Sequence, residues 1–356
     1  MKICYIITTT TNCGPVNVLY NLLVNYHQLN SFEPIIITLK PDDANKSRRQ
    51  DFEALGIKVY EFKKGIHEKQ DIFKFIVQNN FDVIHSHGLI PDIINSYVQK
   101  KEDKPRFHIT TLHNYPFEDY PQRKGKLLGN AMAYLHLRAI KTLYKVACSK
   151  AIAQRFAMIG VKTDVIQNGI IFSNNFVGKS QISSNHPIFL YLGRIHARKN
   201  VLFLVNYFKK HPDYEFWIVG DGAEYENIKH AASDANNIKV LGKTNHPNDM
   251  YQKADYYISA SKSEGLPLSV LEALSFGLPC ILSDIAPHAE IITNDKLGEL
   301  FINNDETSLN QAITKVLTTK YDDKQIYEMT KDKFSSDTMM NKYYLLYENK
   351  ILRRKA

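Results

Sequence analysis

Short apolar runs rich in β-branched residues recur along this chain, each followed by a stretch with helical spacing, and that rhythm restricts it to an alternating α/β architecture. Residues 2–8, 34–39, 58–62, 83–87, 108–112, 145–148 and 164–167 read as strands, with helical segments such as 16–26 and 71–78 between them. Ile35-Ile36-Ile37 is apolar without alternation, the pattern of a strand covered on both faces of a parallel sheet. After Asn168 the rhythm stops. Residues 173–187 are rich in Ser and Asn and read as a linker. Strands resume at 188–192 and continue at 215–219, 239–241, 255–259, 280–283 and 299–302, and 337–349 reads as a closing helix. Two α/β domains joined near residue 180 account for the 356 residues.

Composition narrows the class. Hydrophobic residues at 44% and charged residues at 23% are ordinary for a globular chain and exclude a disordered or fibrous protein. Every apolar run falls short of the ~18 residues that a spanning helix needs. The apolar opening at residues 3–7 is too short for a signal peptide, so no export is expected. Cys4, Cys13, Cys148 and Cys280 form no C-x-x-C pair, which predicts free thiols in a reducing cytoplasm, without a disulfide framework or zinc site. The net charge of +8 points to an anionic partner: nucleic acid, a phosphorylated ligand or an anionic membrane face.

In the first half, the opening strand leads through four threonines to Cys13, Gly14, Pro15 and a helix. A glycine there permits close backbone approach, and a helix start favours an anion; a turn that simply needs glycine explains it as well. One glycine makes no G-x-G-x-x-G dinucleotide fingerprint. Two strand ends carry histidines, Ile84-His85-Ser86-His87-Gly88 and Thr111-Leu112-His113-Asn114, where ligands collect in parallel sheets. His85 and His87 read as structural, whereas His113, followed by a polar aromatic loop at 114–120, reads equally as a ligand contact. Residues 126–145 read as a helix with Lys126, Asn130, Tyr134, Arg138, Lys141 and Lys145 on one stripe and Leu128, Met132, Leu135, Ala139 and Leu143 opposite. With Arg123 and Lys124, that stripe is either a solvated face or a basic surface for anionic lipid or a phosphorylated acceptor, each cation then contributing about 1 kcal/mol.

The second half carries more. Gly193-Arg194-Ile195-His196-Ala197-Arg198-Lys199-Asn200 sets Arg194 and Lys199 just beyond a strand's carboxyl end, where two cations suit a diphosphate. Val219-Gly220-Asp221-Gly222 ends the next strand. In Ser261-Lys262-Ser263-Glu264-Gly265-Leu266-Pro267-Leu268-Ser269-Val270-Leu271-Glu272, a loop passes into a helix whose first amides, around Leu268 to Val270, are placed for phosphate. Ser269-x-x-Glu272 also matches a capping box, which would make Glu272 structural. Glu264 lies in the loop beside a glycine, with no such explanation.

Glu264-x7-Glu272 within SKSEGLPLSVLEALSFGLPCI resembles the signature of family 4 glycosyltransferases, the retaining GT-B enzymes. The Gly14 loop, IHSHG, TLHN, ACSK, IQNGI, LGRIHARKN, VGDGAE, VLGK and the segment from Ser283 to Glu290 follow in that family's order over nearly the whole chain. Cys13-Gly14 departs from the family's usual two glycines. The resemblance implies a GT-B fold: two Rossmann-like α/β/α domains facing across a cleft, 1–172 binding acceptor and 173–334 binding nucleotide-sugar, with a last helix at 335–356 crossing back to the first domain. Arg194 and Lys199 would neutralise the diphosphate with the amides of Leu268 and Ser269, Glu272 would hold the ribose, and Glu264 and His113 would face the sugar. Gly14, Gly220 and Leu241 complete the implied donor site.

The implied activity is retaining transfer of a hexose or N-acetylhexosamine from a nucleotide-sugar, with UDP preferred, to a lipid-linked saccharide in lipopolysaccharide or capsule assembly at the cytoplasmic membrane face. No D-x-D triplet occurs, in keeping with transfer that needs no metal or other cofactor. A non-hydrolysing UDP-sugar epimerase and a catalytically silent sugar-nucleotide-binding partner subunit are the alternatives. No nucleic-acid motif accompanies the positive charge, so no nucleic-acid partner is expected.

Overall fold

The computed structural model describes residues 1–43, 45–104, 106–173, 175, 176, 178 and 186–355, the last two of these as backbone alone. Much of the linker expected at 173–187 lies outside the described residues. The chain divides into two compact units, one formed by Met1–Ile171 with Ser336–Ala356, the other by Phe172–Ser335.

Unit 1 is built on β1 (Lys2–Ile7), β2 (Glu33–Thr38), β3 (Lys58–Glu61), β4 (Val83–Ser86), β5 (Phe107–Leu112), β6 (Tyr144–Ala147) and β7 (Asp164–Val165). All neighbours run parallel, in the order β3-β2-β1-β4-β5-β6-β7. The continuous apolar runs have the expected cause: Cys4, Ile6, Ile37 and Ile84 are buried against Ile72, Ile76, Ile94 and Val98 of the covering helices. Unit 2 holds β8 (Ile188–Leu192), β9 (Glu215–Val219), β10 (Ile238–Gly242), β11 (Tyr256–Ser259), β12 (Cys280–Ser283) and β13 (Gly298–Phe301), parallel in the order β10-β9-β8-β11-β12-β13. Each sheet starts in its middle and reverses direction of growth between β1 and β4 or between β8 and β11. These are the switch points beside which open α/β sheets bind ligands.

The last helix, Ser336–Lys355, completes unit 1. The Ser336 amide donates to Ile170 O (2.7 Å), and Tyr343 and Tyr347 are buried. Among the described residues no helix is long and apolar enough to cross a membrane.

Two expectations about residues 114–145 are corrected. The loop at 114–120 is instead a helix, Pro116–Lys124, opened by proline and with Glu118 and Asp119 in its first turn and Arg123 and Lys124 in its last, the polarity that the helix dipole favours. The following helix runs Lys126–Ile140, and Lys145 belongs to β6. Its buried face is Gly129, Ala133, His136, Ala139 and Ile140; of the expected inner stripe Ala139, and Leu143 just past the helix, are buried, whereas Leu128 and Leu135 are exposed. The reason is steric: a Cβ on Gly129 would stand 2.3 Å from Pro121 N, so only small residues fit where the two helices meet, and Leu127, Leu128 and Leu135 are turned outward.

Candidate active site

In unit 2 the loops after β8 and β9 lie backbone to backbone. Gly193 N donates to Val219 O (3.0 Å) and Ile195 N to Asp221 O (2.9 Å). A Cβ on Gly220 would sit 1.8 Å from Gly193 O, so glycine is required there by the protein's own packing. Past this contact a single 3-10 turn, Ala197–Lys199, is closed by Asn200 in the left-handed region (φ 54°) and turns Arg198 and Lys199 the same way. Lys262 N donates to Arg198 O (2.8 Å), which ties this turn to the loop after β11.

There the two cations meet Glu264. Lys199 Nζ lies 2.5 Å from Oε1 and Arg198 Nη1 lies 3.5 Å from Oε2, while Arg198 also donates to Ser263 O (2.9 Å). The Glu264 side chain is only 7% exposed. Burial opposes its ionisation, but Lys199 and Arg198 prevail and hold its pKa at about 2. Half-buried His196 reports the same field: burial, then Arg198, Lys199 and Arg194, hold its pKa below the usual histidine value. Arg194 is exposed, and its carbonyl accepts from Tyr191 OH (2.8 Å). Two cations therefore face one carboxylate and the charge of a third, Arg194, reaches the neighbouring His196, so the loop is net positive. Sequence reasoning named Arg194, Lys199 and Glu264 and missed Arg198. The available signal was the Arg-Lys-Asn run, since an asparagine that closes a tight turn brings both preceding side chains to one side.

Beyond Glu264 the helix Leu268–Ser275 begins directly after Pro267, with no side-chain cap. Its first intrahelical-type bond is Leu271 N to Pro267 O, and the amides of Leu268, Ser269 and Val270 have no acceptor among the described residues. The capping-box alternative is therefore wrong. Ser269 is the second helical residue, its hydroxyl pairs with Tyr257 OH (2.8 Å), and Glu272 Oε2 accepts from Tyr251 OH (2.9 Å). Leu241, near the end of β10, is half-exposed.

In unit 1, Gly14 opens the helix Gly14–Leu23 without a left-handed φ, and a Cβ there would meet nothing within 4 Å. The fold thus does not itself demand glycine at this position, against the reading of a turn that simply needs one. His113 follows β5 directly, and its Nε2 is 2.8 Å from Nδ1 of His87, which follows β4. Burial pushes His113 down to about 4 and His87 further. His85 bonds Tyr347 OH (2.7 Å) and Thr111 Oγ1 (2.8 Å), the satisfied structural role expected of it.

Two sheets of Rossmann order with ligand-type residues at both switch points define a class, the GT-B fold, and solved structures agree. The chain matches the lipopolysaccharide outer core galactosyltransferase WaaB over 100% of both chains (TM-score 0.73, 17% identity). It matches Anabaena HepE in complex with UDP-glucose over 98% of this chain and 100% of that one (TM-score 0.81, 16% identity). The family model Glycosyltransferase Family 4 fits residues 13–173 and the model Glycosyl transferases group 1 fits residues 173–333. The chain belongs to the family 4 glycosyltransferases, and the epimerase alternative lapses. Similar curated proteins include the Escherichia coli O-antigen biosynthesis glycosyltransferase WclY, 23% identical over 98% of both chains. Another is the E. coli UDP-Gal:alpha-D-GlcNAc-diphosphoundecaprenol alpha-1,3-galactosyltransferase, 27% identical over 73% of this chain and 72% of that one.

Proposed function

We propose that this glycosyltransferase moves a hexose or N-acetylhexosamine, with retention, from a UDP-sugar to a hydroxyl of a lipid-linked saccharide during O-antigen or capsule assembly. The loop of Arg194, Arg198 and Lys199, tied through Lys262 and Glu264 to the loop that leads into the unfilled amides of Leu268 and Ser269, carries this reading: positive charge and free N–H donors are the two kinds of group a diphosphate requires. Glu272 holds the ribose hydroxyls, Leu241 and Gly220 border the nucleoside, and Glu264, His113 and Gly14 meet the sugar and its phosphate. UDP and the lipid-linked acceptor are supported by the relative named for UDP-Gal and a diphosphoundecaprenol-linked acceptor.

In the reaction the bond between the anomeric carbon and the phosphate oxygen breaks, and its electron pair leaves with the nucleoside diphosphate. The acceptor oxygen bonds to the anomeric carbon on the same face, and its proton passes to a leaving-phosphate oxygen. Cations and amides already aimed at that phosphate stabilise its growing charge without reorganising, so no metal or other cofactor enters the scheme.

The reading extends to the membrane. On the helix Lys126–Ile140, Leu127 (92% exposed), Tyr134 (67%), Leu128 (57%) and Leu135 (48%) stand outward beside exposed Arg123, Lys124, Lys126 and Arg138. Apolar side chains flanked by cations suit an anionic lipid surface, which would hold the enzyme at the cytoplasmic face where lipid-linked acceptors lie.

Thermal shift against UDP, GDP and ADP tests the nucleotide, since a ligand bound only by the folded state raises the melting temperature. With radiolabelled nucleotide-sugar, Lys199→Ala and Arg194→Ala are each expected to lower turnover by about 10²-fold or more. Wild-type rates in both variants would overturn the assignment.

A further inference from the structure

The mechanism uses His113 but leaves His87 without a role, although His87 is buried with an orphaned nitrogen. We infer that His87 is a positioning residue: its Nδ1–H donates to His113 Nε2, so that His113 presents a neutral Nδ1–H, never a lone pair, to the nucleotide-sugar. The inference rests on the reading that His113 meets that ligand.

The geometry allows only one proton in the bridge. The two rings are nearly coplanar (27°), with centroids 5.1 Å apart, so the 2.8 Å contact joins them edge to edge. Burial keeps both rings uncharged at neutral pH, and among the described residues the only other titratable group whose charge is felt at His87 is His85. Among the described residues no carboxylate acts on either ring to stabilise a protonated form. One ring must therefore donate and the other accept.

The far side of His87 decides which. Its Nε2 is buried and has no partner among the described residues. If His113 donated, the His87 proton would have to sit on that Nε2, a buried N–H with nothing among the described residues to receive it, which leaves its desolvation uncompensated. If His87 donates, Nε2 is a bare lone pair, and of the two defects a buried orphan N–H is the rarer. The donating tautomer of His87 therefore prevails. It is held by its surroundings: the His87 amide donates to Ile6 O (3.0 Å), and the His85 ring, pinned at both nitrogens, stacks on it at 4.4 Å.

His113 differs from His87 in exposure. It is partly exposed, its carbonyl accepts from Cys148 Sγ (3.4 Å), and its Nδ1 has no partner among the described residues. With Nε2 filled by His87, the proton of the neutral ring resides on Nδ1. His113 then acts as a hydrogen-bond donor to a hydroxyl of the transferred sugar. It does not serve as the base, and the acceptor proton is left to the departing phosphate.

Long-range ¹⁵N–¹H NMR on histidine-labelled full-length protein reads the tautomers directly. His113 is expected with Nε2 unprotonated and Nδ1 protonated; the reverse overturns the inference. His87→Leu removes the donated proton, and kcat should fall about tenfold, the worth of one neutral hydrogen bond, with UDP affinity unchanged. His87→Asn, whose amide N–H₂ can occupy the Nδ1 position, should recover most of that loss. Equal kcat in wild type and His87→Leu would overturn the inference, as would a His87→Asn that fails to recover. Should His87→Leu not fold, the wild-type spectrum and His87→Asn still decide. If the wild-type protein binds no UDP or UDP-sugar, the nucleotide-sugar reading fails, whereas the tautomer measurement stands independently of it.

Discussion

Glu264 is an acid whose neighbours keep it charged. With Lys199 and Arg198 against it and a pKa of about 2, it stays ionised wherever the protein is folded, so no proton-transfer role at neutral pH suits it. Glu264→Gln should separate its two effects. Loss of its charge leaves the cluster one unit more positive, so UDP should bind as well or better, while sugar transfer falls more than about tenfold because the sugar contact is gone. Calorimetric titration and a radiolabel assay check this, and a variant that loses UDP binding and transfer together would contradict it. Much of this site was legible in sequence, because strand ends and glycine turns announce themselves by residue type. Arg198 was passed over, because its signal lies not in its own residue type but in Asn200, which closes the 3-10 turn and sets Arg198 and Lys199 toward the same carboxylate. The Ser269-x-x-Glu272 match misled for a different reason. The motif has no phase of its own, and Pro267 had already fixed the helix start two residues earlier.

At the scale of elements the strands were readable, and so was the helix Lys126–Ile140 apart from its end and its inner face, but the helix Pro116–Lys124 was not. A parallel strand covered on both faces must be apolar throughout, so β1, β2 and β8 stand out without knowledge of their partners. A helix shows its inner face by large apolar residues only if that face packs on a roomy core. Here it packs on another helix at the distance set by Gly129, with His136 Nε2 donating to buried Asp92 (2.7 Å), so the inner face is small and polar and the outer one carries the leucines. The outward leucines make a prediction. Wild-type protein should float with vesicles rich in anionic lipid and less with neutral ones. Leu127→Glu/Leu128→Glu should lower flotation by about tenfold or more, since it removes two apolar contacts and adds repulsion, each contributing on the order of 1 kcal/mol. Equal flotation of variant and wild type would remove this surface from the proposal.

Over the whole molecule, buried histidines tie stability to pH. Burial lowers His85 to about 3 and His113 and His288 to about 4, against ~6.5 in an unfolded chain. Below pH ~6.5 the unfolded chain takes up protons that the folded one refuses, so stability present above that pH is lost as pH falls toward the folded values. Each such histidine weakens folding by up to about 1.4 kcal/mol per pH unit in that window. Urea midpoints should therefore drop between about pH 7.5 and about pH 5, and His288→Asn should flatten the drop in the transition of unit 2. Coincident midpoints at the two pH values would refute this. Sequence alone marked His85 and His113 but not His288, and their burial depends on strands far apart in the chain. His85 depends on Tyr347 for one of its two partners, and Thr111 depends on Tyr343 (2.7 Å), both from the helix Ser336–Lys355. On the ribosome that helix is translated after all of residues 172–335, so the amino-terminal unit, though made first, waits with its polar interior unpaired until its carboxy-terminal piece emerges, and the unit encoded second can mature before it.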